Sequence, residues 1–88
     1  MTFKIETTRS GPVTTLRLIG TLNYHCLEDL QQQIIHGGPQ IVLDLSEVEL
    51  VDVGVVRFLN ACQRDGVGIA NGSLYIREWM LRESKPRG

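Results

Sequence analysis

Three kinds of side chain in this sequence could carry chemistry, and each occurs sparsely: the acids Asp44 and Asp52, the imidazoles of His25 and His36, and the thiols of Cys26 and Cys62. Two carboxylates near a helix N-terminus could share general acid and base work or hold a cation. A working constellation also needs a His or Cys beside them, and none is close to either acid in sequence. His25 and His36 fall in the first and last turns of one helical stretch, too far apart to share a metal, and His36 is accounted for as a cation at a helix C-terminus. Cys26 and Cys62 sit on or beside apolar stripes, where a thiol behaves as a small hydrophobe, and neither has a cationic neighbour to lower its pKa. Catalytic residues, metal ligands and cofactors are therefore all expected to be none, and the chain is not expected to be an enzyme.

The segment that positions the acids is Gln40 to Leu59, QIVLDLSEVELVDVGVVRFL. Ile41, Leu43 and Leu45 alternate with Val42 and Asp44, the period of a mostly buried strand bordered by Gly37-Gly38-Pro39 and by Ser46-Glu47. Asp44 then stands near the strand end. Asp52 occupies an N-cap position, able to accept from the N–H of Gly54 or Val55, with Val51 and Val56 spaced as a hydrophobic staple. Val55, Val56, Leu59 and Cys62 form the buried stripe of the helix that follows, and Arg57, Asn60 and Arg64 are expected on its other side.

Around this centre the remaining elements follow in order. Phe3, Ile5 and Thr7 mark a half-exposed strand, turned by Arg9-Ser10-Gly11-Pro12 into a second strand, Val13 to Ile19, that Gly20 and Thr21 end. Thr14, Leu16 and Leu18 share one face of that strand, and the tight turn makes an antiparallel hairpin. Asn23 caps a first helix with Leu27, Leu30 and Ile34 inward, stopped by Gly37-Gly38-Pro39. After Asp65-Gly66, Val67 to Ala70 is long enough for a short strand. Ser73 caps a last helix bearing Ile76 and Met80, with Tyr75 and Trp79 expected in the core because a small chain needs its large side chains for burial. Glu78 and Arg82 are spaced as an exposed i,i+4 pair.

The run Leu43, Asp44, Leu45, Ser46, Val48, Val51, Asp52, Val56 and Leu59 resembles the central segment of STAS domains, L-D-L-S-x-V-x-x-[IV]-D-S-S-G-[LV]-x-x-[LI], without a gap. That resemblance implies an α/β fold: a STAS-like four-stranded mixed sheet, β-β-α-β-α-β-α, with helices mainly on one face, in a single domain over 1–88 with 84–88 a frayed tail. It implies a protein partner, namely an anti-sigma kinase, a sensory scaffold or a transporter subunit, met at Asp52, Val53, Gly54 and Arg57. Members switched by phosphorylation carry Ser or Thr directly after the aspartate. Here Val53 and Gly54 follow, so no phosphoacceptor is present and the expected function is an anti-sigma-factor-antagonist-like binding module that phosphorylation cannot switch at this loop. Sliding the alignment to match Gly54 with the family glycine would instead put Asp52 at the phosphoserine position, but it requires a deletion and forfeits the Val51-Asp52 match.

Two other readings stand beside it. One is an accessory subunit of an ABC-type lipid transport complex. The other is a small-ligand carrier or enzyme using Asp44 or Asp52, which would need a polar pocket between the central strand and the second helix.

Composition excludes several classes. Eighty-eight residues leave room for one core, and 42% apolar with 22% charged residues is the balance of a folded globular chain. A net charge of −1, without a basic cluster, gives no field for a nucleic acid. No apolar run suits membrane insertion or export, and the two distant cysteines make no disulfide framework, so a cytoplasmic, reducing setting is expected. An uncovered last strand would invite pairing with another chain, so a homodimer is expected as well.

Overall fold

The computed structural model describes residues 3–84. The elements run β1 (Phe3–Ser10), β2 (Val13–Leu22), α1 (Tyr24–His36), β3 (Gln40–Val51), α2 (Val53–Arg64), β4 (Gly68–Ala70) and α3 (Leu74–Ser84). The sheet has the order β1-β2-β3-β4, with β1 antiparallel to β2 and the remaining neighbours parallel. Because each crossover advances the sheet in the same direction, right-handed connection puts α1 and α2 on one face. The expected four-stranded mixed α/β sheet is the observed one.

The helix-covered face holds the core. Leu16 and Leu18 of β2 stand beside Leu43 of β3, and Val55, Val56 and Leu59 of α2 are wholly buried with them. Phe3 and Ile5 pack against this cluster from β1. Thr14, also buried, donates its hydroxyl hydrogen to the Gly37 carbonyl at 2.6 Å, which ties the start of β2 to the last turn of α1. The opposite face is open and carries ion pairs across three strands: Glu6 with Arg17 at 3.5 Å, and Arg17 with Asp44 at 3.9 Å.

Both long strands overrun the ends expected of them. β2 continues through Gly20 and Thr21 to Leu22, and β3 continues through Ser46 and Glu47 to Val51. Two register shifts between Arg17 and Thr21 absorb the irregularity, and Gly20 takes a φ of 96°, a conformation that L side chains rarely adopt. Turn-like residues here mark bulges rather than termini. Asp44 consequently lies mid-strand, not at a strand end.

The other corrections concern helices. Asn60 does not face solvent: it is buried, and its side-chain amide donates to the Met80 carbonyl at 2.9 Å because α3 lies across that side of α2. Tyr75 is 44% exposed and Trp79 only partly buried, since α3 turns just Ile76 and Met80 fully inward. The expected Glu78–Arg82 pair is not formed; both side chains are solvated, where pairing gains little, and the ion pair that α3 does make is Glu83 with Arg57 at 3.0 Å. Ser84, placed in the frayed tail, closes α3 and donates to the Leu81 carbonyl, while the rest of that tail, 85–88, lies outside the described residues.

Candidate functional site

The parallel pairing of β2 and β3 sets Leu22 beside Val51, so the helices that follow the two strands must start side by side. Each starts with its own cap. Asn23 accepts from the His25 N–H at 3.0 Å, and Asp52 Oδ1 accepts from the Val55 N–H at 2.9 Å. The second oxygen of Asp52 crosses the gap and accepts from the N–H of Tyr24, the first residue of α1, at 3.2 Å. One carboxylate thus satisfies orphan donors in the first turns of two helices, and both positive helix ends favour its charge.

The four residues expected at a partner surface are therefore adjacent on the folded chain. Asp52, Val53 and Gly54 make the turn into α2, and Arg57, one helical turn on, shares the solvent side of that helix with Val53. Arg57 is held by its bond to Glu83 of α3. A Cβ added to Gly54 would press Asp52 Oδ1 at 3.3 Å and make only ordinary contact with Tyr24 Cβ at 3.9 Å, so the glycine leaves room for the capping carboxylate. Three large apolar side chains near this turn are exposed among its polar neighbours: Tyr24 by 65%, Leu50 by 57% and Val53 by 40%. Sequence reasoning missed Tyr24 and Leu50; the two caps following Leu22 and Val51 were the available signal, since parallel neighbours of equal ending place their caps together.

The remaining candidates are not brought to this turn. Asp44 points to the open face, where its carboxylate accepts from the Ser46 N–H at 2.9 Å and from the Asn71 side-chain amide at 3.2 Å. The backbone bond from Ser46 leads in holding its pKa below the usual carboxylate value, aided by Asn71 and Arg17. From Asp44 to the end of β3 the strand runs on for roughly 20 Å at the usual rise per residue, so the two acids do not meet. His36 hydrogen-bonds through Nδ1 to its own helix at the Gln32 carbonyl, and His25 packs against Tyr24 at a ring separation of 4.0 Å. Both cysteines are buried and free. Burial, with Asp65 nearby, pushes the Cys62 thiol up to about 11, the opposite of an activated nucleophile. Among the described residues no cluster of His, Cys, Asp and Glu is arranged to hold a metal, and no helix is long and apolar enough to cross a membrane. Among the described residues one groove lies between α2, α3 and β4 and another between the C-terminal halves of α1 and α2, and neither of these two is lined by Asp44 or Asp52.

No protein-family model and no curated protein matches the chain. Solved structures do. The anti-sigma factor antagonist SpoIIAA in its unphosphorylated form superposes with a TM-score of 0.67 at 20% identity, over 97% of this chain and 84% of that one. A crystal structure of Mglu matches with a TM-score of 0.53 at 24% identity, over 74% of this chain but only 18% of that one. The long coverage of SpoIIAA, together with the order β-β-α-β-α-β-α and its mixed sheet, gives the chain the STAS fold, the fold of an anti-sigma factor antagonist.

Proposed function

We propose that this chain is a non-enzymatic protein–protein interaction module that docks through the turn Asp52-Val53-Gly54 with Arg57 and Tyr24, and that phosphorylation does not switch it at this turn. The observation that carries the reading is the exposure of three apolar side chains, Tyr24, Leu50 and Val53, near a turn whose two helix starts are bridged by one carboxylate. A rigid patch with aromatic and aliphatic anchors loses little entropy on docking. The likeness to SpoIIAA, an anti-sigma factor antagonist with a distinct unphosphorylated form, supports a regulatory partner such as an anti-sigma kinase or a sensory scaffold, in a bacterial cytoplasm. In such modules an added phosphate at the turn ejects the partner by repulsion and desolvation. Val53 and Gly54 offer no oxygen to receive one, so association through this patch is constitutive or controlled elsewhere.

The test uses the immobilised protein and a Val53→Glu variant against a bacterial lysate, with the retained protein identified by mass spectrometry. A regulatory kinase or scaffold held by the wild type and lost with Val53→Glu is the expected result. Retention by the variant equal to that of the wild type defeats the docking site. An ATPase of a lipid transporter retained instead would favour the accessory-subunit reading. Incubation of the protein with ATP and the retained kinase, followed by intact mass, should show no phosphate on residues 52–55.

A further inference from the structure

In the groove between α2, α3 and β4, of about 520 Å³, a cation, a buried acceptor and apolar surface meet. A volume of that size suits a small organic molecule. Arg77 supplies the cation. Its stem lies over Gly72: a Cβ on that glycine would press Arg77 Cγ at 3.3 Å and touch Cδ at 3.9 Å, so the missing side chain leaves the stem its place along the groove wall. Among the described residues Arg77 enters no ion pair. The acids around it are engaged or turned away. Asp44 accepts from Ser46 and Asn71, Glu83 pairs with Arg57, and Glu78, the next residue of the helix, projects about 100° round the axis from Arg77.

Asn60 supplies the acceptor. It is only 6% exposed, and its Nδ2 donates to the Met80 carbonyl at 2.9 Å, which settles which end of the amide is which. Its Oδ1 therefore turns away from that carbonyl, and among the described residues no donor reaches it. No sealed polar side-chain atom there goes without a partner, so this oxygen must open on the groove that Asn60 lines. A ligand that fills the groove displaces the water serving that oxygen and has to bring a hydrogen-bond donor of its own, because an acceptor left dry is costly. Ile69, Met80 and Leu81 line the same groove and offer apolar surface to the rest of the ligand.

We propose that this groove binds a small carboxylic acid bearing a hydrogen-bond donor and an apolar group, with the acid on Arg77, the donor on Asn60 Oδ1 and the apolar group against Ile69 and Leu81. A planar carboxylate matches the guanidinium fork through two parallel hydrogen bonds. An inorganic anion such as sulfate has acceptors only and would leave Asn60 unmet. Because the groove is partly open and such a ligand is small, the dissociation constant is on the order of 1–10 mM. None of the lining residues belongs to the turn at Asp52, so ligand binding and partner docking stand or fall independently.

Heteronuclear NMR titration of the isotope-labelled protein with N-acetyl-leucine, up to about 50 mM at constant pH and ionic strength, tests the proposal, and the spectrum itself shows that each variant is folded. Saturable shifts are expected at the side-chain amides of Asn60 and Asn71 and along α3. N-Acetyl-leucinamide, which lacks the acid, and isocaproate, which lacks the N–H, should each bind at least about threefold more weakly. Arg77→Gln should weaken binding of N-acetyl-leucine at least about fivefold. No saturable shift by the end of the titration overturns the proposal. So does binding that Arg77→Gln leaves unchanged, or an amide or isocaproate that binds as well as the parent acid. Sulfate matching N-acetyl-leucine in affinity and in the shifts at Asn60 would reduce the groove to a bare anion patch and overturn it too.

Discussion

Asp52 Oδ2 accepts a hydrogen bond from the backbone N–H of Tyr24, 28 residues earlier in the chain, while its other oxygen caps the helix that it begins. An N-cap carboxylate ordinarily stabilises one helix by about 1 kcal/mol. Serving two, Asp52 is expected to contribute more: Asp52→Ala should cost about 1–2 kcal/mol in urea unfolding. Asp52→Asn keeps an acceptor for Val55 but offers an amide to Tyr24, so it should fall between the two. An alanine variant indistinguishable from wild type would show that the bridge contributes nothing.

The buried amide of Asn60 ties α2 to the Met80 carbonyl of α3. Asn60→Ala removes that bond and leaves a small gap, for which about 1–3 kcal/mol of destabilisation is expected. The loss should be local as well as global. Amide hydrogens in α3 should exchange faster relative to those of β2, because Ile76 and Met80 are its only fully inward anchors. Uniform acceleration across the chain would refute this local role.

Gly37 illustrates a glycine kept for space. Its φ of −81° suits any residue, yet a Cβ there would overlap Ile41 Cδ1 and press the Gln33 carbonyl at 3.0 Å. Gly37→Ala should therefore destabilise by about 1–3 kcal/mol despite alanine's better helix propensity. Ile41→Val, which removes the overlapping methyl, should offset part of that cost, so that the double variant is more stable than the sum of the singles implies. Strict additivity would show that the strain lies elsewhere.

Asp44 sets an acid limit on stability. Its folded pKa is depressed, so its ionised form stabilises the native state; that contribution is complete above the unfolded carboxylate value of about 4 and is lost as pH falls through the lower folded value. Asp44→Asn removes the titration but keeps an acceptor for the Ser46 N–H. The fall in melting temperature from pH 6 to pH 2.5 should be smaller in the variant than in the wild type. Equal falls would mean that other acids govern the acid transition.

What could be read from the sequence was whatever is settled within a few residues. The caps at Asn23, Asp52 and Ser73 lie where their types and the following apolar spacing place them, because each bond spans two or three residues. The order of the elements and the direction of the crossovers followed from periodicity and chain handedness. Contacts closed only by the fold were not legible: Asp52 with Tyr24, Asn60 with Met80, Arg57 with Glu83. The misplacement of Asn60 and of Tyr75 has one cause. A helix's polar face is defined by its neighbours, and α3 lies against a side of α2 that composition marks as wet while keeping much of its own aromatic surface outside.

Between the rung joining Val13 to Gln40 and the rung joining Leu22 to Val51, β3 uses two more residues than β2, and the slack is taken up near Gly20. These extra residues act as a length adjustment that makes two unequal segments finish level. Shortening Ser46 to Glu49 by a single residue would pull Asp52 out of step with Tyr24 and rotate the apolar rim around the turn, without touching any residue of that rim. The geometry of this turn is thus set upstream, by how much chain the sheet consumes before the second helix begins.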